Sequence, residues 1–256
     1  MTVEIRILQK PGLNNPILIC GLPGSGYVGK LAVDHLVSEL DAIPIGEVYS
    51  SSFPPQIIIK PDGTSELMKN VLYAVTANQS RPDLLIFTGD SQPISPDANY
   101  EISERVVEVA HELGTETVFT LAAYITGAFV KEPKVYGTAT SVDFAKELER
   151  KGVVKMSEGT ITGMNGVLIG VAKKKGLTGA SLLGETSGYI IDAKASQAVL
   201  VILSQLLSIK LNLANLESRA KETESVIQTI EQMRMRSQEK PIGKGEQPEK
   251  GPGYIS

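Results

Sequence analysis

ILICGLPGSGYVGK, residues 17 to 30, decides how the chain is read: an apolar run stops in closely spaced glycines and then resumes with helical spacing. The pattern predicts a strand, a tight loop and a helix. The first N–H groups of such a helix have no internal partners, and its dipole adds positive potential, so phosphate binding is the first chemistry to weigh. Gly24, Gly26 and Gly29 satisfy G-x-G-x-x-G, and Gly24 to Lys30 satisfies G-x-x-x-x-G-K. The next position, where a phosphate loop carries the hydroxyl that holds magnesium, is Leu31, which cannot coordinate a cation. The better reading is steric. Glycine here permits positive φ and lets the helix lie close to neighbouring strands.

Outward from this stretch, 256 residues with 42% hydrophobic content are enough for one sizeable core and an appendage. A net charge of −4 and a pI near 5.4 leave no basic excess for a phosphate backbone, which argues against a nucleic-acid partner. Cys20 is the only cysteine and reads as inert packing in a reducing compartment. His35 and His111 are the only histidines, so a metal site or a histidine-dependent triad is not expected, and no cofactor is inferred. The opening MTVEIRILQK lacks the basic and apolar regions of a signal peptide, and the apolar stretch 198–211 is interrupted by polar residues. A cytoplasmic protein without a membrane span is expected.

Val3 to Leu8 alternates as a half-buried strand before the central strand at Ile17. After the helix Tyr27 to Leu40, strands are predicted at Ile43 to Tyr49 and Gln56 to Lys60, and from Glu66 to Val75, the last two making a hairpin insertion about Pro61-Asp62-Gly63. Leu84 to Phe87 is an apolar run of the buried parallel type. Ser95-Pro96 starts a helix ending at Gly114, since serine caps free N–H groups and proline suits the first turn. Strands then follow at Thr117 to Ala123, Val135 to Thr140, Gly159 to Gly163 and Ala180 to Leu183, alternating with helices capped by Ser141, begun at Asn165 and capped by Asp192. This order predicts an α/β protein, a three-layer α/β/α sandwich on a mostly parallel sheet. Loops at the carboxyl ends of parallel strands gather on one face, which makes Gly24, Gly26, Asp90, Tyr124, Asn165 and Glu185 the candidate pocket. No histidine is expected beside the serines and tyrosines of these loops, so none is assigned as a nucleophile.

From Ile209 the pattern changes. Ile209, Leu213, Leu216, Ala220, Thr223, Ile227 and Ile230 alternate spacings of four and three, a coiled-coil seam whose partner is the domain itself or, preferably, another copy. Leu213, Leu216, Ile227 and Ile230 are the expected oligomer contacts. The domains expected are therefore an α/β body over 1–208, a heptad-patterned C-terminal helix over 209–238 and a tail over 239–256. Glu239 to Gly253 holds seven Gly or Pro in fifteen residues, a tether composition, and Tyr254, Ile255 and Ser256 at its end suit a docking peptide that offers a free carboxylate.

The blocks GLPGSGYVGKLAVDHL, FPPQ, TGDSQP with the Tyr100 helix, TLAAYITG, VYGTAT, GTITGMNGVLIGVA and SLLGETSGYIID, in this order, resemble the archaeal branch of the proteasome assembly chaperone family over most of the body. That resemblance implies a fold like the purine nucleoside phosphorylases, no catalytic residues, and homo-oligomers that bind proteasome α subunits without ATP, and leaves open whether a second family member joins as a further partner. Some relatives carry an ATP-grasp label, for which this chain offers no pair of nucleotide-binding elements. The family's tail ends in a hydrophobic residue, a tyrosine and any residue. This chain departs from it, because Gly253 precedes Tyr254 and the tyrosine stands third from the end. Against the chaperone reading stands an enzyme using the loop cluster on a nucleotide or other small molecule.

Overall fold

Strand β2 (Ile17–Cys20) shows why the chain builds layers. Leu18 and Cys20 face one hydrophobic cluster and Ile19 the other, so the strand is buried on both sides, as is β7 (Leu84–Gly89). The computed structural model describes residues 3–79, 81–223 and 225. Helices α1 (Val28–Glu39), α3 (Val142–Arg150) and α5 (Ala193–Leu207) contribute Leu36, Leu148 and Leu203 to one cluster. Helices α2 (Pro96–Glu112) and α4 (Gly163–Lys174) contribute Ile102 and Leu168 to the other. The result is the expected α/β/α sandwich.

The remaining strands are β1 (Val3–Ile7), β3 (Ile43–Ser50), β4 (Ile57–Ile59), β5 (Ser65–Leu67), β6 (Asn70–Val75), β8 (Thr117–Ile125), β9 (Val135–Ala139), β10 (Val154–Lys155) and β11 (Thr178–Thr186). The large sheet runs β1-β3-β6-β7-β2-β8-β11-β9-β10, and β4-β5 is a separate hairpin. The central four strands, β7, β2, β8 and β11, are mutually parallel, so their carboxyl ends share one edge. Antiparallel pairs flank them: β6 on β7, and β9 on β11.

Three expectations change. Gly159 to Gly163 is not a strand: Gly159 has φ +114° and Gly163 φ +73°, outside the strand region, and Gly163 opens α4. The segment Glu66 to Val75 divides in two, because β5 pairs with β4 while β6 pairs with β3 and β7. Asp90 holds the division: its carboxylate accepts the Lys69 N–H at 2.9 Å and its own N–H donates to the Lys69 carbonyl at 3.0 Å.

The C-terminal stripe is the third change. Helix α5 stops at Ser208, which takes a left-handed conformation, residues 209–213 are irregular, and helix resumes over 214–223. Leu216 and Ala220 are buried against the chain's own core, and Leu213 packs on the same cluster. Leu216 is therefore buried within the chain, and Leu213 is half-buried on the same cluster, because the irregular segment turns the stripe back toward α1 and α5. Ile227 and Ile230 lie outside the described residues.

Candidate functional site

The carboxyl edge of the parallel strands carries a cleft of about 470 Å³. The glycine loop supplies Gly24 and Ser25, β8 supplies Tyr124, the stretch leading into α4 supplies Thr160 and Thr162, and the first turn of α4 supplies Asn165. Gln92, also in the wall, fixes these parts relative to one another. Its Nε2 donates to the Pro23 carbonyl at 2.7 Å and its Oε1 accepts the Met164 N–H at 2.8 Å, so one amide ties the glycine loop to the first turn of α4. Thr162, the N-cap, makes no side-chain capping bond, and Gln92 takes over that role.

Asn165 is buried, and its Oδ1 lies 3.9 Å from the Cys20 Sγ. Burial pushes the Cys20 thiol far up, which keeps it protonated and inert, as the sequence suggests. Tyr124 stacks on Tyr136 with ring centroids 3.9 Å apart. The Tyr136 hydroxyl is shifted upward, first by desolvation and then by the negative charge of Glu185.

Of the candidate pocket residues, Gly24, Tyr124 and Asn165 meet in the cleft. Gly26, Asp90 and Glu185 do not. Gly26 sits beneath the loop at φ +61°, and its carbonyl accepts the Asp192 N–H at 2.8 Å. Asp90, just past β7, holds the backbone of Lys69 between β5 and β6 as described. Glu185 accepts the Lys134 N–H at 3.1 Å and so holds the start of β9. Gln92 lies in the Gly89 to Gln92 loop expected at this face but is not among the candidate residues, because in the TGDSQP block an amide after a strand end reads as ordinary loop.

The cleft wall carries Glu158 and no lysine or arginine, a poor match for phosphate. Lys30 turns away from the loop to its own helix, 2.5 and 2.6 Å from the two carboxylate oxygens of Asp34. Two serines near the edge are engaged locally: Ser91 Oγ donates to the Gln92 carbonyl, and Ser187 Oγ accepts the Tyr189 N–H. His35 Nε2 meets the Asn212 carbonyl at 2.8 Å and fastens the segment before the terminal helix. Among the described residues no group of three His, Cys, Asp or Glu could hold a metal ion, and no helix is long and apolar enough to cross a membrane. Tyr254, Ile255 and Ser256 lie outside the described residues.

Fold and site together define a three-layer α/β protein with an amide-clamped cleft, free of lysine and arginine, at the carboxyl edge of its parallel strands. Residues 18–231 match the PAC2 family, and the chain belongs to it. The crystal structure of Pyrococcus furiosus PbaB, an archaeal proteasome activator, is 36% identical, covers 90% of this chain and 98% of that one, and superposes with a TM-score of 0.84. Pyrococcus furiosus PbaA, an archaeal homolog of proteasome-assembly chaperone, is 30% identical over 92% of this chain and 94% of that one, with a TM-score of 0.75. An uncharacterized protein of Methanocaldococcus jannaschii is 38% identical over 90% of each chain.

Proposed function

We propose that the protein is an ATP-independent proteasome assembly chaperone, which binds proteasome α subunits through an oligomeric α/β body and its C-terminal tail and catalyses no reaction. The observation that carries this reading is the similarity to PbaA and PbaB over nine-tenths or more of each chain. The cleft offers no lysine or arginine, and the neighbouring Ser91 and Ser187 are engaged in local hydrogen bonds, which supports the non-enzymatic part. Fifteen residues of tether composition have an r.m.s. span of about 20 Å, enough to carry Tyr254 to a pocket beside the docked body. One tyrosine and one isoleucine contribute at most about 2 to 3 kcal/mol each when buried, so several tails on one oligomer would have to act together.

Binding of full-length protein to recombinant α subunits, compared with a chain lacking Tyr254 to Ser256, tests the reading. Weaker binding by the truncated chain with fold and oligomer intact is expected. Equal affinities overturn the tail's role, and no binding by either overturns the chaperone reading. A second reading, activation of the assembled proteasome, is favoured by the higher identity to PbaB than to PbaA. Faster peptide hydrolysis by mature proteasome, with no gain in assembly yield, would select it.

A further inference from the structure

Next to the cleft, the carboxyl edge exposes four large apolar side chains: Tyr27, Ile125, Tyr189 and Ile191, between 46% and 78% accessible. They are neighbours. The Gly26 carbonyl accepts the Asp192 N–H, joining the Tyr27 turn to the Ile191 loop, and a Cβ built at Gly188 would lie 3.1 Å from Ile125 and 3.8 Å from Ser25. The Tyr189 hydroxyl lies 3.9 Å from the corresponding position at Gly127. A contiguous apolar surface of this kind marks an interaction site more often than chance exposure.

Where the terminal helix leads identifies its occupant. Residues 214–223 run along the body with Leu216 and Ala220 buried, and Thr223 Oγ1 lies 3.5 Å from the Ile191 carbonyl. The chain thus reaches position 223 at the patch, with residues 224–256 still to follow. The stripe that turns Leu216, Ala220 and Thr223 toward the body continues in sequence as Ile227 and Ile230. Ile227 follows Thr223 by four residues, a chain length of at most about 14 Å, so the sequence alone allows it to reach Ile191.

We propose that Ile227 and Ile230 of the same chain cover the patch formed by Tyr27, Ile125, Tyr189 and Ile191. The cover closes the apolar edge of the body and starts the tail from the rim of the cleft. The proposal is independent of the proteasome reading, since it rests on the patch, the helix path and the stripe alone.

Full-length protein carrying Tyr189→Cys and Ile227→Cys tests it, because Cys20 is buried and its thiol is held protonated. Under mild oxidation an internal disulfide is expected, seen as a mobility change without doubled mass. A disulfide-linked dimer would assign the cover to a second copy and overturn the proposal, as would the absence of any cross-link. Tyr189→Cys alone should react with a maleimide several-fold faster when Ile227→Glu and Ile230→Glu are added. Equal rates, with circular dichroism unchanged, overturn it independently of whether the cross-link geometry is suitable.

Discussion

Gly29 and Gly170 both lie in helices and carry opposite consequences for an added methyl group. A Cβ at Gly29 would collide with the Leu121 carbonyl, backbone that no rotamer change can move aside, whereas at Gly170 it would meet nothing within 4 Å. Gly29→Ala is therefore expected to cost about 3 kcal/mol or more, at the upper end of overpacking. Gly170→Ala should gain up to about 1 kcal/mol from helix propensity. Urea unfolding of the two variants checks both signs. The same geometry explains the phosphate-like spacing of the opening motif. Gly29 lets α1 lie on β8, Gly26 takes a positive φ, and Lys30 pairs with Asp34, so spacing alone cannot separate a cradle from a packing joint. Gln92 shows the reverse: an unremarkable loop amide in sequence clamps the cleft, because its two partners come from Pro23 and Met164, each far away along the chain.

Among elements, the β4-β5 hairpin joins the sheet through charge. Lys69 Nζ lies 2.6 Å from Glu47 Oε1 and 3.2 Å from Glu66 Oε2. The Lys69 hydrogen bond, foremost, lowers the Glu47 pKa, and the Glu47 hydrogen bond, foremost, raises that of Lys69. The stabilisation from Glu47 is complete above the unfolded carboxylate value of about 4.3 and is lost as pH falls through the lower folded value. That from Lys69 is complete below about 10.4 and is lost only as pH rises through its higher folded value. Glu47→Gln should cost about 1 kcal/mol near neutral pH, a cost that shrinks as acidification protonates Glu47, measured by unfolding at pH 7 and pH 3. The terminal helix makes a separate claim. Leu216 is 2% exposed, so Leu216→Ala should destabilise the single chain by about 2 to 4 kcal/mol. Amide exchange over 209–223 should rise; a subunit-only role for Leu216 would leave that exchange unchanged in the monomer.

For the whole molecule, magnesium-dependent ATP turnover by the pure protein is expected to be absent, because Leu31 removes the magnesium hydroxyl and Lys30 is committed to Asp34. Steady turnover abolished by Lys30→Ala would contradict this. What the sequence determined was local and periodic. Alternating strand and helix patterns, the Ser95, Ser141 and Asp192 caps, and the double-faced run at Ile17 predict the sandwich, because each depends on residues a few positions apart. The order of family blocks along the chain points to the same proteins that the structure resembles. What only the tertiary structure decided depends on distant pairings. Asp90 breaks a strand by bonding to Lys69, β10 forms beside β9 instead of at Gly159 to Gly163, and Leu216 turns into its own body. A heptad records that a stripe must be buried and is silent about against what; the left-handed turn at Ser208, after which the terminal helix runs back over the body, supplies that answer for Leu216 and Ala220.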